Sequence, residues 1–143
     1  MRALVQRVKR ASVTVDGETV ASIGPGMLVL AGVQAGDGES ETEKLAQRLL
    51  ALRIFPGPGG DMDAPLGDRE VLCVSQFTLH GDTSRGNRPS WGRAAPGNEA
   101  EPLWERLCEL LGAKRGVFGA MMEVELVNDG PVTLMLEQSP PDA

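Results

Sequence analysis

The chain of 143 residues has the length of one domain able to bury a core without staples, and 41% hydrophobic with 24% charged residues is ordinary globular composition. A formal charge of −6 argues against a general nucleic-acid coat; one histidine and two cysteines fall short of the ligand clusters of a zinc site. No apolar run approaches the roughly 20 residues of a membrane helix, and "MRALVQRVKR" lacks the long apolar stretch and cleavage site of a signal peptide, so we expect one soluble, cytoplasmic domain over residues 1–143.

The chain opens as a strand meander: "ALVQRV", "ASVTV", an Asp16-Gly17 turn, "ETVASI", and the apolar run "MLVLAGV" after a Gly-Pro-Gly break. "SETEKLAQRLLALR" reads as a helix, with Ser40 and Glu43 spaced as a capping box and Leu45, Leu49 and Leu52 at helical period. Residues 56–69 are rich in Gly, Pro and Asp and read as a loop. "EVLCVSQFTLH" reads as a buried strand, followed by an irregular stretch and a second helix around "EAEPLWERLCELLGA". That helix presents Leu103, Leu107, Leu110 and Leu111 on its apolar face, Trp104 as a packing residue, and Gly112 as its C-terminal cap. Cys73 and Cys108 sit in apolar contexts and read as small core residues. In "GAMMEVELV", Met122, Val124 and Leu126 alternate with Glu123 and Glu125, and "VTLMLEQ" returns after "NDGP", where Asp-Gly signals a hairpin turn. The sum is an α+β fold: a curved or barrel-like, antiparallel-rich sheet with two covering helices.

Charge is unevenly spread. Arg2, Arg7, Lys9 and Arg10 crowd the first ten residues without an acid, and "SRGNRPSWGR" carries Arg85, Arg88 and Arg93 likewise. Both stretches read either as solvated surface or as contacts to a phosphate backbone.

Chemistry concentrates in "VLCVSQFTLH", where Ser75, Gln76 and Thr78 interrupt an apolar run. Either the strand end opens into a pocket, or these polar groups are satisfied within the sheet. Strand alternation sends Ser75 and His80 to opposite faces, and although Thr78 shares a face with His80, no third group orients the imidazole. A His-activated hydroxyl is therefore disfavoured.

"SQFTL" at Ser75–Leu79, "GNRPSW" at Gly86–Trp91 and "FGAMMEVELVNDGPVT" at Phe118–Thr133, in that order, closely resemble the bacterial D-aminoacyl-tRNA deacylase family, and "MRALVQRVKRASVTVDGE" is similar to its N-terminal strands. The resemblance spans Met1 to about Leu136. It implies a homodimer, without metal or other cofactor, that hydrolyses the ester between a D-amino acid and the terminal adenosine of tRNA. It implies that Ser75, Gln76, Phe77 and Thr78 carry catalysis and that Leu79 lines the pocket. It further implies that Gly130-Pro131, held cis and braced by Arg7, enters the partner subunit's site as a chirality filter. Phe118 and Ala120 would shape the pocket or belong to strand core. Arg85, Arg88 and Arg93 would hold the tRNA acceptor end. A filter that excludes only L side chains implies hydrolysis of glycyl-tRNA, including mischarged glycyl-tRNA(Ala). The resemblance leaves open a related deacylase with relaxed chirality and a trans Gly-Pro bond; a non-catalytic tRNA-binding module is the other alternative. The chain departs from the family pattern at Trp91, where phenylalanine is common, in the absence of tyrosine, and in shorter segments near residues 60–70 and 112–117.

Overall fold

The computed structural model describes residues 1–141. Its central element is β1 (Arg2–Val15), which pairs along one edge with β8 (Glu123–Glu137). Its other edge is shared: Arg2 to Val8 pair with β3 (Gly26–Gly32), and Ala11 to Val15 pair with β2 (Glu18–Ile23). All three pairings are antiparallel. β6 (Glu70–Ser75) then adds in parallel to β3, and β7 (Lys114–Arg115) in parallel to β6. The result is a mixed six-stranded sheet. It curls until Lys114 Nζ on β7 donates to the Ser22 carbonyl on β2 at 3.0 Å, which leaves a nearly closed barrel.

Curvature divides the core in two. Met27, Val29 and Ala31 of β3, with Val71 and Cys73 of β6, join the cluster under helices α1 (Glu39–Ala51) and α2 (Gly97–Leu111). Leu28, Leu72 and Val74 point the other way and meet Val8, Val13 and Ile23 inside the curve. Burial on both faces is why "MLVL" and "VLCV" are unbroken apolar runs. Cys73 and Cys108 are buried free thiols. The Cys108 sulphur beside it and burial push the Cys73 thiol well above its usual range, so it remains a neutral packing group.

The α+β, barrel-like architecture with two covering helices agrees with the sequence expectation, but several elements differ. The first two expected strands are one continuous β1, because alternation survives the junction at Lys9 through a register shift against β8. The Ser40/Glu43 capping box is not made. α1 begins at Glu39 with Gly38 as N-cap, no side chain caps it, and Thr42 Oγ1 instead donates to the Gly38 carbonyl at 3.0 Å. α1 also ends at Ala51, so Leu52 lies beyond it and is only half-buried. The loop 56–69 contains a short hairpin of β4 (Phe55–Pro56) and β5 (Met62–Ala64). α2 buries Ala100, Trp104, Leu107, Cys108 and Leu111, while Leu103 and Leu110 sit at the margin of the stripe. Gly112 caps α2 in the left-handed region, as expected.

The largest departures fall in the two motif regions. "EVLCVSQFTLH" is a strand only to Ser75; Phe77–His80 form a 3-10 turn. The Asp-Gly of "VNDGPVT" makes no hairpin, because β8 runs through it as one strand of 15 residues, both halves pairing with β1.

The parallel β3–β6 contact depends on Gly26, where a Cβ would overlap the carbonyl oxygen of Glu70. Gly26→Ala is expected to destabilise the fold by about 3 kcal/mol through this backbone clash. Urea unfolding beside wild type measures it, and an unchanged midpoint would refute the close packing.

Candidate active site

Two polar features stand out, each at an interruption of the sheet. The first is the turn ending β6. The Gln76 N–H donates to the Ala31 carbonyl at 2.8 Å, which extends the parallel ladder one residue past Ser75 before the chain coils. Gly32 permits that coil: a Cβ there would lie 2.8 Å from the Gln76 carbonyl oxygen and 3.1 Å from the His80 ring. Across the turn Ser75 and Gln76 are half-buried, Phe77 and Thr78 exposed, and Leu79 half-buried. The Gln76 side-chain amide donates to Thr78 Oγ1, so the hydroxyl is held from within the motif. Arg2 holds the far end, donating from Nη1 to the Leu79 carbonyl at 2.8 Å while its Nε pairs with Glu137 at 2.9 Å.

His80 does not share a face with Thr78, contrary to the strand-based reading, because a 3-10 turn rotates the two apart. His80 is buried beneath the turn, with Nε2 3.0 Å from the Gly32 carbonyl oxygen. Burial first, and then the nearby positive charges, lower its pKa, outweighing the Gly32 contact. It is a neutral strut under the polar surface.

The second feature is the Gly-Pro segment. Gln6 pairs with Thr133 and Val8 with Asn128, so Arg7 alone lies opposite Asp129, Gly130, Pro131 and Val132, and the surplus backbone leaves the ladder as a bulge. Gly130 and Pro131 are exposed and joined by a cis peptide bond, the geometry the family resemblance implies. Arg7 braces the bulge, donating from Nε to the Asp129 carbonyl at 3.0 Å and from Nη1 to the Ile54 carbonyl at 2.7 Å. Asn128 closes its neck: its Oδ1 accepts the Val132 N–H at 2.9 Å and its Nδ2 donates to Thr133 Oγ1 at 2.8 Å. Sequence reading missed Asn128 and Arg2. The signal for Asn128 was its place immediately before Asp-Gly; Arg2 gave none beyond charge.

Within one chain the two features stand apart. The turn is tied to β1 at Arg2 and the bulge at Arg7, five residues along a strand, or roughly 16 Å, and strand alternation sends these two arginines to opposite faces. Of the other expected residues, Phe118 packs on Trp104 at 5.8 Å between centroids, and Ala120 lies in a turn whose N–H donates to the Val117 carbonyl at 3.2 Å. Neither is in a strand, and Phe118 belongs to the margin of the helical core. Because β7 runs parallel to β6, the chain leaves it toward the Ser75 end of the sheet, which carries both residues to that end. Arg85, Arg88 and Arg93 are exposed, and Arg93 borders a cavity of about 420 Å³ with Met1, Arg2 and Gln34.

Comparison with known proteins places this nearly closed barrel in a class of deacylase enzymes, hydrolases that remove an acyl group. Residues 4–137 match the D-Tyr-tRNA(Tyr) deacylase family, and this chain belongs to it. It is 49% identical over 144 residues to the D-aminoacyl-tRNA deacylase of Carboxydothermus hydrogenoformans, covering 96% of this chain and 99% of that one. It is 51% identical over 144 residues to the enzyme of the same name from Xanthomonas axonopodis pv. citri, covering 95% and 99%. The solved structure of the c-Myc DNA Unwinding Element Binding Protein superposes with a TM-score of 0.93 at 41% identity, covering 98% of this chain and 100% of that one.

The lowered His80 pKa gives a pH signature. The unfolded chain takes up the imidazole proton near its ordinary pKa of 6.5 and the folded chain only lower, so stability is full above 6.5 and falls as pH drops below it. Because this is the only histidine, His80→Gln is expected to flatten the decline between about pH 6.5 and 5. Unfolding free energies measured across that window test it; an equally steep decline in the variant would refute the buried neutral strut.

Proposed function

We propose that the protein hydrolyses the ester joining a D-amino acid to the terminal adenosine of tRNA, and that it does so as a homodimer in which Gly130-Pro131 of one subunit enters the Ser75–Leu79 pocket of the other. The observation that carries this reading is the separation just described. An exposed, doubly braced backbone bulge has no partner within its own chain near the polar turn, and a second copy related by a two-fold axis can supply one.

The chemistry needs no triad. Water attacks the ester carbonyl carbon, the carbon–oxygen bond to the ribose breaks from the tetrahedral intermediate, and the departing ribose oxygen takes a proton, giving free D-amino acid and tRNA. The first N–H groups of a helical turn have no intrahelical acceptor, and those of Phe77 and Thr78 occupy that position here, so they serve as the oxyanion donors. Gln76 fixes Thr78, which positions the acyl end rather than becoming acylated; the neighbouring 2′-hydroxyl of the substrate assists the water. Leu79, Phe118 and Ala120 line the pocket, and Arg85, Arg88 and Arg93 meet the acceptor-end phosphates.

Gly130-Pro131 supplies chirality. Backbone carbonyls set against the substrate Cα leave no volume for an L side chain, whatever its chemistry, and leave a D side chain unread. Glycine has nothing to exclude, so glycyl-tRNA, including mischarged glycyl-tRNA(Ala), is also a substrate. Arg7 and Asn128 matter to this filter as positioning residues.

Matched D-, L- and glycyl-tRNA substrates test the proposal. Wild type is expected to hydrolyse the D and glycyl esters and spare the L ester; equal hydrolysis of D and L would sink the filter. Thr78→Ala is expected to slow turnover yet leave it measurable, and complete loss with intact binding would reassign Thr78 as a nucleophile. Pro131→Ala is expected to gain activity on the L ester, and excess Gln76→Ala/Thr78→Ala chain, after subunit exchange, to suppress that gain by lending its intact bulge. Unaltered L hydrolysis on mixing would place the filter within one subunit.

A further inference from the structure

Two aromatic side chains beside the polar turn remain unexplained by the pocket itself. Phe77 is 54% exposed and Trp91 42% exposed, and their rings meet edge to face, with centroids 5.2 Å apart and planes at 73°. Single exposed apolar residues are commonplace, but this pair is built. The Asp82 N–H donates to the Ser90 carbonyl at 2.8 Å and the Ser90 N–H to the Asp82 carbonyl at 2.9 Å, closing a loop that returns Trp91 over Gly81. Gly81 makes room for it, since a Cβ there would come within 2.8 Å of the indole. The Asp82 carboxylate, held below the usual range by the Ser84 hydroxyl and N–H, is committed to the loop's first turn.

The same loop carries Arg85 and Arg88, and Arg93 follows it; from Thr83 to Pro96 there is no acidic residue in a chain of net charge −6. Exposed aromatic rings amid exposed basic charge are what single-stranded nucleic acid requires: a π-face for a base and cations for the phosphates behind it. Position narrows the occupant. Phe77 immediately precedes Thr78, so an ester seated at the turn puts the base of the same nucleoside within reach of the ring pair.

We propose that Phe77 and Trp91 form a stacking platform for the unpaired purine base of the nucleoside that carries the ester, with Arg85 and Arg88 facing the phosphates on its 5′ side. This rests on the deacylase reading above and assigns to Trp91 a role that phenylalanine, with its smaller ring, fills less well. A platform of this kind reads the base without hydrogen-bond discrimination, so it contributes affinity for the 3′ end and not specificity among tRNAs.

The chain has two indoles, Trp91 and the buried Trp104, so the part of a fluorescence change on binding that Trp91→Phe abolishes reports Trp91. Uncharged tRNA ending in CCA is expected to quench wild-type fluorescence more strongly than the same tRNA trimmed of its terminal adenosine, because a purine covers more of the rings than the cytosine left at the end. Trp91→Ala is expected to raise KM for D-tyrosyl-tRNA about tenfold with kcat changed by less than about twofold, the loss of one stacked base, and Trp91→Phe to recover most of it. Equal quenching by trimmed tRNA, or an unchanged KM in Trp91→Ala, overturns the platform. So does a Trp91→Ala protein that sediments as a monomer while wild-type fluorescence ignores the terminal base, which would make the ring pair a subunit contact. The two readings fail separately: base-dependent quenching without any D-ester hydrolysis refutes the deacylase reading alone, and hydrolysis without quenching refutes the platform alone.

Discussion

Where Arg7 of β1 lies opposite four residues of β8, the antiparallel ladder cannot close, and three residues' worth of backbone is forced outward. On either side the strands are paired, regularly from Arg2 to Gln6 and, past a second register shift at Lys9, from Arg10 to Thr14, so the bulge is clamped between two anchored stretches of strand. A loop with free ends would sample many positions; one whose neck is tied by Asn128 and whose base is held by the Arg7 guanidinium is confined. That confinement is what the proposed chirality filter requires of the exposed Gly-Pro peptide, because a carbonyl that excludes a side chain by its bulk must not yield. The strand that carries the mismatch, β1, is also the one to which β2, β3 and β8 are all registered.

The polar turn is held by the same strand through another route. β3 lies on β1 and carries β6, so the place where β6 ends is fixed relative to Arg2, which reaches across to the Leu79 carbonyl. Gly26 and Gly32 lie at the two ends of β3, and each stands where another residue's backbone approaches too closely for a side chain. The parallel pair is thus pressed together at both ends, with His80 filling the space beneath the turn. An imidazole in that position stiffens the site from below and does not take part in it.

How far these features could be read from sequence depends on their range. Alternation of Met122, Val124 and Leu126 against glutamates is a local pattern and survives in the fold, as do Leu45 and Leu49 of α1 and Leu107 and Leu111 of α2 from the expected leucine stripes. The hairpin expected at Asp129-Gly130 failed because the same dipeptide suits a tight turn or a bulge, and only pairing with β1, more than a hundred residues away in sequence, decides between them. The strand expected through His80 failed for a related reason: Phe77 and Leu79 have strand propensity, but the ladder partner ends at Gly32 and the chain coils once it has nothing to pair with. The proposed site residues were singled out through motif resemblance, whereas Arg2, which acts on a backbone group distant in sequence, offered only its charge, and Asn128, which acts across a bulge, offered only its place before Asp-Gly.

An acidic protein that acts on a polyanion must confine its attraction to one place. Here Arg2 and Arg7 at the start of β1 are offset by Glu137 and Asp129, whereas the loop through Arg85, Arg88 and Arg93 carries no acid between Thr83 and Pro96, and glutamates occupy exposed positions of β8 and both helices. Repulsion over the remaining surface discourages lengthwise binding to nucleic acid and leaves the basic loop as the favourable approach. For a substrate whose only variable part is a small acyl group at a single-stranded end, end-on capture is sufficient. It also relieves the pocket of providing affinity. On the proposed reading, in which phosphate contacts and a stacked base hold the tRNA, the backbone at Gly130-Pro131 and the turn at Ser75–Leu79 would need to bind the amino acid only weakly, and weak binding suits a filter meant to accept any D side chain and refuse every L one.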